Sequence, residues 1–337
     1  MPCPQQGPSR RRCQRFDTAS SRLYDPRAMD KLGALPLRIS SRTRLAAIVF
    51  LLALTAIVTL LFHRGPRRAP AATEPRIVSL VPQATETLVA IGCGDHLAGV
   101  SNYDVDPAVA GLPRVGDYET CDWESISSLK PQWIVTHYAK DRPRPGFDEH
   151  LSSIGARHLN LQTETLNGSD ATQTIYYAIG RLGRICNEPA KAAAAEARLR
   201  ARLAAVGQRV KNQRPARTLI VIGAEGTMVA GRETFLSELA ILAGGENVAS
   251  SLAERYPNID AEQLLTFAPE AILQLLPGAA PQVREQAKKH WSGLPNVPAV
   301  KNGRVVQLTQ WYLMLPGYHV GDIAELFADA LHPSGAH

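Results

Sequence analysis

The stretch from Glu188 to Gln213 constrains the fold more than any other: 26 residues with no proline after Pro189 and a single glycine, Gly207. The spacing predicts one long helix. Asn187 can act as its N-cap, Glu188 and Pro189 suit a first turn, and Arg214-Pro215 sets the stop, giving a linking segment over 187–214. At the rise of an α-helix it reaches roughly 39 Å, about the width of a domain. Leu199, Leu203, Val206 and Val210 form an apolar stripe at helical spacing, with Arg198, Arg200, Arg202 and Arg209 around the remainder. One side packs and the other meets water. Short apolar strands alternate with amphipathic segments on either side, so the helix reads as a spine between two lobes; the plainer alternative is a crossover helix inside one domain.

A chain of 337 residues, 45% hydrophobic and 20% charged, can build two domains with a core in each. Its formal charge of +6 would suit nucleic acid, but the charge is concentrated at the front. Residues 1–76 carry 14 Lys and Arg against 4 Asp and Glu, whereas 77–337 carry 23 against 27. The body is mildly acidic, and no nucleic acid is expected as a partner, because a phosphate-binding face needs clustered cations on the folded part. Cys3, Cys13, Cys93, Cys121 and Cys186 show neither CxxC nor metal-site spacing. They read as small buried residues, with any pairing left open.

Residues 1–44, rich in Arg, Ser and Pro, offer nothing to pack and read as a disordered basic tail, with Met29 an alternative start. Leu45 to Phe62 follows as 18 uncharged residues, about 27 Å as a helix, just enough to span a bilayer. Ten cations precede it and four follow closely, which predicts the N-terminus in the cytoplasm and the body outside. Ala69-Pro70-Ala71 weakly resembles a cleavage site, so the expectation is an uncleaved anchor with a soluble periplasmic body as the alternative. Residues 63–75 then form an exposed stalk.

In the N-terminal lobe, 76–186, Arg76 to Pro82 reads as an apolar strand ending at the proline, Ala84 to Ile91 as a helix ended by Gly92, and Leu97–Val100, Trp133–Thr136 and Ala156–Leu161 as further strands. Such alternation argues for an α/β fold with mainly parallel sheets and a ligand edge at the strand C-termini. Ile77-Val-Ser-Leu-Val-Pro-Gln-Ala-Thr-Glu-Thr-Leu, Gly99-Val-Ser-Asn-Tyr, Leu112-Pro-Arg-Val-Gly-Asp-Tyr and Trp123-Glu-Ser-Ile-Ser-Ser-Leu-Lys-Pro resemble the substrate-binding proteins of ABC importers for vitamin B12 and iron chelates, most closely the vitamin B12-binding members. The likeness runs from about Arg76 to Pro333. It implies two α/β lobes joined by one long helix, a ligand in the cleft and little hinge motion.

The C-terminal lobe, 215–333, repeats the alternation: strands at Thr218–Ile222, Met228–Ala230, Ala271–Leu276 and Val305–Leu308, helices at Thr234–Leu242 and Gly321–Leu331. Gly223-Ala-Glu-Gly-Thr lacks both GK[ST] and GxGxxG spacing and is no phosphate cradle. Gly244-Gly-Glu-Asn-Val and Asp260-Ala-Glu-Gln-Leu also resemble the family.

The resemblance assigns roles. Glu124 and Glu262, each in the first turn of an expected helix and one per lobe, correspond to the glutamates that dock onto Arg pockets of the permease, which works with a cytoplasmic ATPase. A first-turn Glu is favoured by the helix dipole with or without a partner, the simpler account of both. Tyr103, Tyr118, His137, Met228, Tyr256, Gln310, Trp311 and Tyr312 match cleft-loop positions, and such aromatic faces suit a corrinoid, a ferric siderophore or haem, a small-molecule metal chelate bound as cargo. Taken singly, each is ordinarily a packing residue. The vitamin B12-binding members are rich in Trp where this chain has Tyr118, His137 and Tyr256, and an Asp and Arg near the last strand give way to Gln310 and Met314. His137 could ligate the cargo's metal centre, and Arg232 is the cation available to a siderophore. No cofactor and no resident metal are expected.

The resulting expectation is a membrane-anchored external receptor that hands a corrinoid or iron chelate to a permease and does no chemistry. The alternatives are a chelatase-like metal inserter using His137 and Glu225, which lacks a paired catalytic constellation, and a ligand-sensing lobe that signals without transport.

Overall fold

The structure is a computed structural model describing residues 75–117, 119–138 and 145–333. All belong to one of the two compact units into which the chain divides, Pro66–His337. The expected tail, the apolar run 45–62 and all of the stalk but Pro75 lie outside the described residues. Among the described residues no helix is long and apolar enough to cross a membrane.

The first half contains β1 (Ile77–Ser79), α1 (Pro82–Ala90), β2 (Leu97–Val100), α2 (Trp123–Ser128), β3 (Trp133–Thr136), α3 (Phe147–Ile154), β4 (Arg157–Asn160) and α4 (Ile175–Ile185). Its strands pair in the order β2-β1-β3-β4, all parallel, with Val78 opposite Ile134 and Val135 opposite Leu159. Ile77, Val78, Ile134 and Val135 are wholly buried, as parallel strands covered on both faces require. α4, not among the expected elements, is held at its start by Thr174, whose hydroxyl accepts from the Tyr177 N–H.

After α5 (Pro189–Val210) come β5 (Ala216–Ile222), β6 (Met228–Val229), α6 (Phe235–Leu242), β7 (Gly245–Asn247), α7 (Ala261–Phe267), β8 (Ala271–Leu275), α8 (Pro281–Ser292), α9 (Pro298–Lys301), β9 (Val305–Leu308) and α10 (Val320–Leu331). The second sheet runs β6-β5-β8-β9. β7 lies parallel to the beginning of β5 and β6 antiparallel to its end, so the two share one side of that strand. Both halves are α/β with mainly parallel sheets, as expected.

The spine helix is shorter than its expected span, and Asn187 does not cap it. Asn187 takes the left-handed conformation (φ +59°) and donates its N–H to the Arg184 carbonyl, closing α4. Asn tolerates that conformation better than most residues, so it ends one helix and Glu188 stands before the next without a side-chain cap. Gly183 makes the corner possible: a Cβ there would lie 2.2 Å from the Cβ of Ala192 on α5.

α5 buries Ala192, Ala195 and the four residues of the expected stripe. These join one hydrophobic cluster containing Ile77, Leu88 and Leu182 from the first half and Ile220, Phe235, Leu239 and Phe327 from the second. On the wet flank Arg202 reaches Asp322 (2.8 Å) and Glu325 (2.9 Å) of α10. The long helix is a core element shared by both sheets.

A second joint lies where α1 meets the approach to α10. Glu86 is buried, and its Oε2 accepts the His319 N–H (3.3 Å) and faces His319 Nε2 (3.4 Å). Its Oε1 has no hydrogen-bond partner. Contact is so close that a Cβ on Gly317 would lie 1.6 Å from that oxygen. Burial drives the Glu86 carboxyl well above its ordinary value, against hydrogen bonds from the His319 and Tyr318 backbone, and the nearby Asp106 and Asp322 charges push the same way. The other side of His319 is fixed by Asp322, 2.7 Å from Nδ1. Burial alone would raise Asp322, but hydrogen bonds from His319 and Arg202 outweigh it and bring it to about 2.

Two outcomes are expected. Leu199→Ala should lower stability by about 2–5 kcal/mol and leave one cooperative transition in urea, because the core is continuous; separate transitions for the halves would contradict that. Glu86 folds as the neutral acid, so its contribution to stability is complete at low pH and falls as pH rises from about 4.5 toward its raised value. Glu86→Gln stays neutral, so its Tm advantage over the parent should grow across that window and then level off. A variant less stable than the parent at pH 7 would contradict the assignment.

Candidate ligand site

The C-terminal ends of the parallel strands place His137 directly after β3, Glu164 in the segment after β4, and Gln310, Trp311 and Tyr312 directly after β9. Gln83, in the first turn of α1, donates its amide N–H to His137 Nδ1 (3.2 Å). That leaves the ring proton on Nε2, the nitrogen facing Glu164 Oε1 at 3.7 Å. Glu164 Oε2 in turn lies 3.5 Å from Arg255 of the second half. Main chain reinforces the crossing, since the Phe235 N–H donates to the Glu164 carbonyl (2.9 Å). A polar line, Gln83–His137–Glu164–Arg255, thus runs from the end of the first sheet to the second half.

Tyr256 adjoins this line, half-buried. Burial, with the Glu164 charge adding to it, pushes its phenol up to about 12, so at neutral pH it is a hydrogen-bonding phenol and not a phenolate. Near Glu86 of α1 the rings of Trp311, Tyr312 and His319 cluster: Tyr312 stacks on His319 (centroids 4.4 Å, interplanar 13°) and Trp311 meets both edge-on. The Tyr312 phenol is also raised, by burial first and by Asp322 second. Since Gln83 and Glu86 are three residues apart on one helix, the polar line and the aromatic cluster meet neighbouring positions of one element.

The remaining expected residues are placed differently. Tyr103, in the loop after β2, is 60% exposed, and Met228, 40% exposed, sits within β6 opposite Ile222 and not in a loop. Gln310 turns its side chain back, Oε1 accepting the Thr309 N–H (3.1 Å). Tyr118 lies outside the described residues. Arg232 and Glu225 are exposed. Among the described residues no group of three His, Cys, Asp or Glu side chains is arranged to hold a metal ion. The loop bearing Tyr103 is held by buried Asp104, which accepts from the Ser101 N–H (2.8 Å) and the Thr85 hydroxyl (3.2 Å). Burial, opposed by those bonds, pushes its carboxyl up to about 6.

Sequence reasoning missed Gln83, Glu86, Glu164, Arg255 and His319. Gln83 and Glu86 lie inside the motif Pro-Gln-Ala-Thr-Glu-Thr, which helical periodicity absorbs as ordinary helix surface. Arg255 adjoins Tyr256 and His319 follows Tyr318, but their partners are far away in sequence.

Comparison with known proteins follows this architecture. The periplasmic binding protein family matches residues 77–312. A vitamin B12-binding protein of Photorhabdus laumondii is 28% identical over 210 residues, covering 62% of this chain and 73% of its own length. The crystal structure of the periplasmic vitamin B12 binding protein of Vibrio cholerae superposes with a TM-score of 0.61 at 26% identity, covering 77% of this chain and 96% of that one. A periplasmic heme binding protein from Pseudomonas aeruginosa gives 0.65 at 26% identity over 77% and 94%. With the family match spanning both sheets and the helix between them, the chain belongs to the periplasmic binding protein family.

Proposed function

We propose that the chain is an extracytoplasmic substrate-binding protein that captures a corrinoid or iron chelate between its two halves and delivers it to an ABC permease. The observation that carries this reading is the meeting, at the strand ends, of His137, Tyr256 and the Trp311–Tyr312 cluster with a polar line reaching both halves. Flat rings offer large contact area at low entropy cost, and the phenols and imidazole supply hydrogen bonds at its rim. Two relatives whose names state vitamin B12 and one whose name states heme support the ligand class. The ligand is cargo, and the protein binds and orients it.

Delivery rests on Glu124 and Glu262. Each is exposed in the first turn of a short helix, α2 and α7, one in each half. Asp122 caps α2 by accepting the Ser125 N–H, and Asp260 caps α7 in a reciprocal capping box with Gln263. The caps already satisfy the helix ends, so neither glutamate is needed there. Among the described residues neither forms an ion pair, and both carboxylates stay available to guanidinium groups of a partner. The apolar run 45–62 would hold the body at the outer face of the membrane as a single-pass anchor.

Titration of the folded protein with cyanocobalamin, cobinamide, haemin and ferric siderophores, followed by tryptophan fluorescence, should give submicromolar binding of one class and quenching that Trp311→Phe largely removes. Binding of none would overturn the ligand class. Glu124→Ala combined with Glu262→Ala should leave affinity within about twofold and lower uptake in cells by at least about tenfold, a loss of roughly 1.4 kcal/mol or more. An equal loss of affinity would place these glutamates in the pocket.

A further inference from the structure

Cys93 and Cys186 lie 93 positions apart in sequence, yet they end two helices, α1 and α4, that pack on each other, and both belong to one core cluster. α1 ends at Gly92 (φ +80°), whose N–H donates to Val89 O (3.0 Å), and the Cys93 N–H closes the turn on Leu88 O (2.8 Å). Cys186 is the C-terminal cap of α4, its N–H on Leu182 O (3.2 Å), and Asn187 then turns the chain into α5. The two helix ends therefore share the corner from which the spine helix starts. Both residues are free thiols in the main core, 0% and 1% exposed, in the cluster that holds Leu88, Ile91, Leu182 and Ile185. Lys191 stands over the same corner, its Cδ 3.7 Å from where a Cβ on Gly92 would be.

We propose that Cys93 and Cys186 form a disulfide that staples the end of α1 to the α4–α5 corner. The placement of the bridge in an oxidising compartment rests on the extracytoplasmic reading above. The oxidant is an external disulfide, of the glutathione type. Cys93, as thiolate, attacks one sulfur of that disulfide, giving a mixed disulfide and releasing one thiolate. The Cys186 sulfur then attacks the Cys93 sulfur and releases the second thiolate, and the two protein protons end on the two released thiols. Two protein thiols are oxidised and one external disulfide is reduced. Cys93 takes the attacking role: the neighbouring Cys186 thiol first and the Lys191 ammonium second lower it against burial. Cys186 is itself held protonated by the neighbouring Cys93 and by burial. Because both sulfurs are shut away in the folded core, the bridge closes as the corner folds and is then shielded from reduction.

The test refolds the reduced full chain in mild detergent with reduced and oxidised glutathione, alkylates remaining thiols and maps tryptic peptides. The expected product links the peptide Ile77–Arg114 to Ile185–Lys191 and leaves Cys121 alkylated. The same chain refolded without oxidant should have a Tm lower by on the order of 10 °C, as for a closed loop near 100 residues, whereas Cys93→Ser and Cys186→Ser should each reach the same Tm with or without oxidant. Refolded protein with Cys93 and Cys186 both alkylated would overturn the proposal. Protein recovered directly from cells tests the compartment separately: a chain that pairs on refolding but is recovered reduced supports the staple and overturns the extracytoplasmic reading.

Discussion

Everything in the folded body depends on the burial of one side of α5 in a core that both sheets share. Leu199, Leu203, Val206 and Val210 each remove an aliphatic side chain from water, worth about 1.5–3 kcal/mol apiece before entropy is charged against it. Their neighbours come from α4 on one side and from α6 and α10 on the other. Neither half closes its core without this helix, and the Arg202 bridges to α10 and the Glu86–His319 contact fix the remaining freedom.

That fixed relation is what brings distant loop residues together. His137 belongs to the first sheet and Arg255 to the second half, yet Glu164 spans the gap between them. A carboxylate between an imidazole and a guanidinium orients both, and the tautomer of His137 is set by Gln83 from the opposite side. The aromatic rings beside it supply area and the polar line supplies direction, the combination a large, flat, polar-edged molecule requires.

The sequence announced the parts of the fold that depend on local chemistry. The apolar stripe of α5, the β-branched strands β5 and β9, and the caps at Thr234 and Asp260 are legible because periodicity and capping act within a few residues. Asn187 was misread for the same reason: a residue between two helices can serve either, and only the packing of Gly183 on Ala192 decides that it ends α4. α4 is missed although Ile175, Ala178, Ile179, Leu182 and Ile185 recur at helical spacing, since Gly180 and Gly183 punctuate the run, and β7 is missed since a double glycine reads as a stop. In the site, the aromatic residues stand out by type, while Gln83, Glu164 and Arg255 acquire meaning only through partners 27 to 91 positions away, separations no local pattern encodes.

Under the proposed function, the shared core also limits how a receptor of this build announces that it is full. Two bodies on a free hinge report occupancy by the angle between them, and a partner can read that angle at a distance. Here a change of angle would tear the Leu199 layer and expose the Glu86 carboxyl, so the message must travel in loop side chains and in the ligand's own exposed edge. Under the proposed function a partner would feel the mouth of the cleft, because the outline of the molecule would stay the same.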